Sequence, residues 1–311
     1  MIFHLLHLKK KTGSSIPVYP LLVFFIACLS FLSAACNRHK YPAGYFLKLA
    51  GPVFPYDLGH PYKIFQMPED LQEISGLEYY RDGIIACNED EHGYLFLYDT
   101  KSGRVIRKIH FAKHGDYESV ALSGDYAWLM TSNGKLFGFP ITADDKVEAT
   151  EYLTPLTKKN NVEGMCYYPA DSSLLIACKD AAGIHSKKGG RAVYRFHLAD
   201  KQFETTPFIH LFNKVYLEKL DSMKLPRAEH TPFKPSGIAI QPDSGYIYWI
   251  SSIGKLLVVL NRERNIQMMA PLDRSMFQQP EGITFSPEGD MFISSEGDFK
   301  NGLIVWYKKI K

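Results

Sequence analysis

Three glutamates carry the strongest chemical signal in this 311-residue sequence. Glu118, Glu163 and Glu281 each stand immediately before a small residue, Ser119, Gly164 and Gly282, that opens an apolar run. Two further copies of the pattern put serine in the same place, Ser75 before Gly76 and Ser236 before Gly237. If a repeat brings these positions to one axis, three carboxylates converge. They cannot all stay ionised without compensation, which comes from protons or from a cation. Hard oxygen donors in irregular geometry suit Ca²⁺, which accepts about six to eight oxygens. Glu118, Glu163 and Glu281 are therefore the candidate metal ligands and Ca²⁺ the candidate cofactor. Glu73, Asp116 and Asn161, beside the same openings, are possible ligands or mouth residues, and Asn160 also precedes Glu163. The other outcome is a hydrated ring of glutamates that binds nothing.

The elements that must position these residues are read from the repeat itself. The small residues Gly76, Ser119, Gly164, Gly237 and Gly282 are 43, 45, 73 and 45 positions apart, and a blade of four short strands takes roughly 40–50 residues. Each copy reads as apolar run, turn, apolar run. Ile238–Ile240, the turn 241–245 and Tyr246–Ser251 are matched by Ile283–Phe285, the turn 286–290 and Met291–Ser295. Long amphipathic helical patterns are nearly absent, which excludes α/β folds and favours radial repetition with short, protected sheet edges. The expected fold is an all-β, five-bladed β-propeller of four-stranded antiparallel blades, with a six-bladed ring as the alternative. In the long interval, Ala181–Gly190 and Asn213–Lys234 read as insertions, the second with one or two helical turns near Val215–Leu220. Tyr62–Met67 is expected to close the ring beside Leu303–Lys308. The first strand of each blade lines the channel, so the residues before the small ones sit at one mouth.

The ends of the second strands form another polar ring: Asn88–His92, Thr131–Asn133, Lys179–Asp180, Ser251–Ser252 and Ser295–Asp298. Hairpin chemistry explains them. There is no GxSxG elbow, HExxH pair, P-loop or dinucleotide fingerprint. Lys187-Lys188-Gly189-Gly190-Arg191 opens no helix and reads as a solvated loop. His92, His114, His185 and His230 read as isolated surface histidines.

Residues 1–35 form a targeting segment, with a basic Lys9–Lys11, an apolar 16–35 and small residues Ser33-Ala34-Ala35 before Cys36. This resembles a bacterial lipobox, although Leu32 stands four residues before the cysteine rather than three. An uncleaved anchor or an ordinary cleavage site are the alternatives. The expected organisation is a signal peptide over 1–35, a lipidated tether over 36–59 with Cys36 as the lipidation site, and the propeller over 60–311. The expected location is the bacterial cell envelope, facing periplasm or cell surface, with the membrane as a partner through the lipid. Without residues 1–35 the 36 basic residues fall to 33, equal to the 33 acidic ones. A neutral domain excludes nucleic acid as a partner class. Cys87, Cys166 and Cys178 read as buried free thiols in strand interiors, with a Cys166–Cys178 disulfide as the alternative.

The Glu-Gly-Met/Ile and Ser-Gly-Leu/Ile openings, together with IIACNEDEHGYLFLYD and LLIACKD, resemble the SdiA-regulated (YjiK-like) family over about residues 60–308. NHL-type, gluconolactonase-like and phytase-like propellers share the Glu-Gly opening. The resemblance implies a five-bladed propeller, a calcium site and envelope placement, and it assigns no particular reaction. The two insertions and Ser119 depart from the family pattern.

Two functions follow. One is a calcium-binding envelope module that engages an unknown ligand or protein partner. The other is a metal-dependent hydrolase, lactonase- or phosphoesterase-like, in which Ca²⁺ polarises the substrate oxygen. No histidine stands at the repeat openings to act as a base, which favours the binding module. The anchor is tested with Cys36→Ser. The variant is expected to lose the lipid mass and leave the detergent-extracted membrane fraction. Unchanged mass and fractionation would leave residues 1–35 as an ordinary signal or anchor.

Overall fold

The structure is a computed structural model that describes residues 51–184, 189–297 and 301–311. The leader, Cys36, His185, Lys187, Lys188 and Asp298 lie outside the described residues. Among those described, no helix is long and apolar enough to cross a membrane.

Among the described residues, twenty strands form five antiparallel four-stranded sheets. After β1 (Lys63–Gln66), the first blade is β2 (Ile74–Arg81), β3 (Ile84–Glu89), β4 (Tyr94–Asp99) and β5 (Arg104–His110). The second is β6 (Tyr117–Ser123), β7 (Tyr126–Thr131), β8 (Leu136–Pro140) and β9 (Thr150–Tyr152). The third is β10 (Val162–Tyr168), β11 (Ser173–Cys178), β12 (Arg191–His197) and β13 (Gln202–Leu211). The fourth is β14 (Lys234–Ile240), β15 (Ile247–Ile253), β16 (Leu256–Leu260) and β17 (Ile266–Pro271). The fifth combines β18 (Gln279–Phe285), β19 (Met291–Glu296) and β20 (Leu303–Tyr307) with β1. β1 pairs with β20 from Lys63 opposite Trp306 to Gln66 opposite Leu303, so both ends of the domain close the ring as the sequence pattern predicts.

The strand sequences fit their radial positions. β11 (SLLIAC) and β16 (LLVVL) are buried at every residue, because both faces of a middle strand pack against neighbouring blades. β5 lies at the outer edge and alternates exposed and part-buried residues over most of its length. Asp82 and Gly83, both at positive φ (52° and 84°), make the two-residue turn from β2 to β3, the conformation that Asp-Gly adopts most readily. The apolar side chains sort into five clusters, one between each pair of adjacent blades. The core is thus a ring of sheet-on-sheet interfaces.

Among the described residues, the 73-residue interval holds no sixth sheet. It contains α1 (Asn213–Ser222) and α2 (Arg227–His230), more helix than the expected one or two turns. Tyr216, Leu220 and Leu225 from this insertion join the cluster between blades three and four, which gives it an apolar footing. Cys87, Cys166 and Cys178 are buried free thiols. Cys166 faces Leu175 and Cys178 faces Val162 across the β10–β11 ladder, so the alternative disulfide is not formed. Burial pushes the Cys178 thiol up to about 12, which makes it inert near neutral pH.

The five innermost strands, β2, β6, β10, β14 and β18, approach one another closely. A Cβ at Gly237 would sit 2.7 Å from the Glu281 carbonyl oxygen and 3.1 Å from the Gly282 Cα. Gly237→Ala is therefore expected to overpack the axis and cost about 1–3 kcal/mol, a fall of several degrees in Tm. Gly51→Ala, which meets nothing within 4 Å, is the control. Equal melting temperatures for the two variants would show that the inner strands move apart without cost.

Candidate functional site

Each innermost strand carries an irregularity in its ladder at the residue that matters. Register shifts fall between Ile74 and Leu77, Tyr117 and Ser119, Val162 and Gly164, Pro235 and Gly237, and Pro280 and Ile283. A bulge leaves one residue unpaired and re-aims its side chain. The residues so released include Ser75, Glu118, Glu163, Ser236 and Glu281, the set that the repeat pattern predicts at one mouth of the channel.

Glu118, Glu163 and Glu281 are brought together. Burial, then the neighbouring Glu163 carboxylate, Asp116 and Glu281, pushes Glu118 up to about 10. Burial and Glu163 push Glu281 up to about 8, against the pull of Lys179. Glu163 is 4% exposed. Its Oε1 lies 2.5 Å from Lys179 Nζ and accepts a 3.3 Å hydrogen bond from Asn161 Nδ2. Its Oε2 is buried without a partner. Burial works against the Lys179 ammonium, but Glu163, Glu281 and Glu118 outweigh it and raise its pKa. Burial raises Glu163 as well, but Lys179 beside it opposes that shift, so at neutral pH the mouth holds the Glu163–Lys179 pair beside two carboxyls that keep their protons.

Asp116 and Asn161 belong to this group. Asp116 acts on both Glu118 and Glu163, and its Oδ2 accepts from the Ser132 hydroxyl. Asn160 is structural, accepting from the Thr157 N–H at 3.0 Å and donating to the Ala181 carbonyl at 3.0 Å. Of the serines in the ring, Ser236 ties to the next blade, its Oγ donating to the Pro280 carbonyl at 2.5 Å, and Ser75 Oγ donates locally to the Glu73 carbonyl at 3.4 Å. Glu73 faces a different place, an acidic cavity of 320 Å³ that it lines with Glu69, Asp70, Glu89 and Glu91.

Lys179 is the residue that sequence reading passed over as hairpin chemistry. Its N–H donates to the Asn161 carbonyl at 2.9 Å, one step beyond the Val162–Cys178 pair, so the ladder itself carries it to Glu163. The available signal was its charge, since no other second strand is followed directly by a lysine or arginine. Hairpin chemistry does explain the cluster at 88–92. Glu89 accepts from the N–H groups of Glu91 and His92 at 3.0 and 2.7 Å. Two expectations for histidine are corrected. His92 and His114 are not isolated, since their rings lie 4.4 Å apart. His230 is not a surface residue, being 1% exposed with Nδ1 on the Gly254 carbonyl at 2.8 Å.

Ca²⁺ fits this mouth by charge more readily than by preformed geometry. The unpartnered Glu163 Oε2 and the two protonated carboxyls are oxygens short of positive charge. Among the described residues, however, no three acidic, histidine or cysteine side chains form a ready metal cage, and Lys179 already supplies one positive charge.

Comparison with known proteins bears on the fold and the family. No curated protein matches the sequence. Among solved structures, the glutaminyl cyclase of Myxococcus xanthus superposes with a TM-score of 0.53 at 15% identity, over 81% of this chain and 97% of that one. A luciferin-regenerating enzyme gives 0.52 at 10% identity, over 80% and 95%. A protein of unknown function from Bacteroides thetaiotaomicron gives 0.47 at 15% identity, over 75% and 58%. The likeness to the first two, at such identities, establishes the fold alone. The SdiA-regulated family matches residues 66–299, a span that contains all five innermost strands, and the chain belongs to that family.

Proposed function

We propose that this chain is an envelope-anchored, non-catalytic binding module whose axial mouth takes up calcium. One observation carries the reading. Glu118, Glu163 and Glu281 gather around Lys179 with Asp116 beside Glu118 and Glu163, and Glu163 Oε2 is left buried and unpartnered. Lys234 and Lys255 have their ammonium groups on Asp180 and on the Gln278 carbonyl, from where their charges also act on Glu163 and Glu281. Protons on Glu118 and Glu281 make up the deficit, and a divalent cation is the alternative to those protons. Calcium would be held by Glu118, Glu163 and Glu281 with Asp116 and Asn161 beside them, and its charge would serve to orient an anionic or carbonyl-bearing ligand at the mouth. The envelope anchor rests on the composition of residues 1–36. In the hydrolase reading the same ion polarises a substrate, which calls for calcium-dependent turnover of lactone or phosphoester probes. Turnover that disappears in Glu163→Gln would overturn the non-catalytic reading.

The mouth makes stability depend on pH with a definite sign. An unfolded glutamate loses its proton near 4.3, whereas folded Glu281 and Glu118 hold theirs to about 8 and about 10. The folded chain therefore binds more protons across that window, and stability falls as pH rises through it. In chelator, Tm is expected to drop between about pH 6 and about pH 9. Ca²⁺ should restore it, and more strongly at the higher pH, where it competes with fewer protons. Mg²⁺, which resists dehydration and irregular geometry, should restore less. At a hundredfold excess over its Kd the gain is about 2.7 kcal/mol. Glu163→Gln should weaken the response, and Lys179→Met should strengthen it by removing the competing ammonium. If chelator and Ca²⁺ leave the melting curve unmoved and the purified protein holds no metal, protons and lysines compensate the mouth and the calcium reading fails.

A further inference from the structure

The channel has a second end, and its chemistry differs from the first. The innermost strands run in the same sense around the axis, so residues three to five positions beyond the glutamate ring lie about 10–16 Å along the channel. There, side chains from all five blades enclose a cavity of 410 Å³, within the range of about 300–1,000 Å³ usual for small-molecule sites. Its walls are mainly carbon, from Leu122 on β6, Tyr167 and Tyr168 on β10, Ile240 on β14 and Phe285 on β18.

One carboxyl stands in this cup. Glu78 of β2 is half-buried, its remaining exposure turned to the cavity it lines. Its Oε1 accepts from the Thr284 hydroxyl at 2.7 Å, and that hydroxyl in turn accepts from the Tyr79 N–H at 3.1 Å. The short chain joins β18 to β2 and fixes the carboxyl in place. The other titratable groups around the cup are the Cys166 thiol, the Tyr167 and Tyr168 phenols, and Arg262 at the exposed rim. Burial, then Glu78, raises the Cys166 thiol well out of reach. The Arg262 guanidinium donates through Nε to the Ser244 carbonyl at 2.7 Å. None of these supplies Glu78 with a cationic partner inside the cavity.

We propose that this cup is a binding site for a small organic ammonium with an apolar body, its charged head on Glu78 and its body against Leu122, Tyr167, Tyr168 and Phe285. The charge accounting is specific. Burial holds Glu78 up to about 7, against the hydrogen bonds from Thr284 and the Tyr79 backbone. Near neutral pH much of it carries a proton that an ammonium head can replace. The exchange balances: protonated Glu78 and the ammonium give the carboxylate–ammonium pair and one free proton. In a desolvated cup such a pair is stronger than at the surface, and the apolar body adds burial of its own. The site is independent of the calcium reading, since it uses none of the residues of the glutamate mouth.

The probes are 2-phenylethylammonium and, with the opposite charge on a similar frame, 3-phenylpropanoate, each titrated calorimetrically into the wild-type domain. The ammonium is expected to bind and the carboxylate not. In buffers of different ionisation enthalpy, about one proton should be released per ammonium bound well below pH 7, falling towards none by about pH 9. Glu78→Gln, which keeps the side-chain shape, should weaken the ammonium by at least about tenfold. Three outcomes would each overturn the proposal: no ammonium binding at millimolar concentration, tighter binding of the carboxylate, or binding without proton release below pH 7. The last two are read on the unaltered protein, so they decide the matter even if Glu78→Gln fails to fold.

Discussion

The whole ring depends on how closely five backbones can crowd around one axis. At every junction the contact is made by a small residue. A Cβ at Gly76 would lie 2.7 Å from the Ser119 Cα, and one at Gly164 would lie 3.2 Å from the Gly237 carbonyl carbon. A Cβ at Gly237 would press on the Glu281 carbonyl, and one at Gly282 would lie 2.9 Å from the Ser75 carbonyl oxygen. Ser119 closes the remaining junction in a different way, its hydroxyl accepting from the Met165 N–H at 3.1 Å. The departure from glycine in the second blade is thus a hydrogen bond between blades two and three.

This crowding also shapes the chemistry. The bulges that let the strands converge turn Glu118, Glu163 and Glu281 onto a shared axis and desolvate them there. Charge repulsion and burial then act in the same direction, and the mouth must import positive charge as lysine, proton or metal. Further along the same strands the channel becomes an apolar cup with one carboxyl. A single set of five strands therefore presents an electrostatically crowded end and a sparsely charged one.

Much of this was legible in the sequence because the repeat is strict where sterics are strict. The small residues at 76, 119, 164, 237 and 282 gave strand order and the residues of the mouth, and pointed to five blades while the 73-residue interval left a sixth open. What the pattern could not carry was compensation. Lys179 reaches Glu163 only through the pairing of β10 with β11, and a hairpin-end lysine looks like any other until that register is known. The helical insertion was underestimated for a related reason. α1 is held by Tyr216 and Leu220 packing on a neighbouring interface, a tertiary contact that local periodicity does not report. His230 was misplaced because its burial depends on the same insertion folding over Gly254.

The closing blade has a mechanical consequence. β1 is the outermost strand of its sheet, held by a short ladder, and it would be the first element to peel if the chain were pulled from its N-terminal side. The segment just before it bears that load first. The Val53 carbonyl accepts from the Tyr248 hydroxyl at 3.2 Å, the Pro55 carbonyl from the Ile310 N–H at 2.9 Å, and the Tyr56 hydroxyl donates to the Gly289 carbonyl at 2.6 Å. Phe54, Tyr56 and Leu58 are buried between blades four and five. Tension arriving upstream of Gly51 must shear this aromatic clamp before it can unzip the ring. The closure of the ring is thereby shielded from force applied upstream of Gly51.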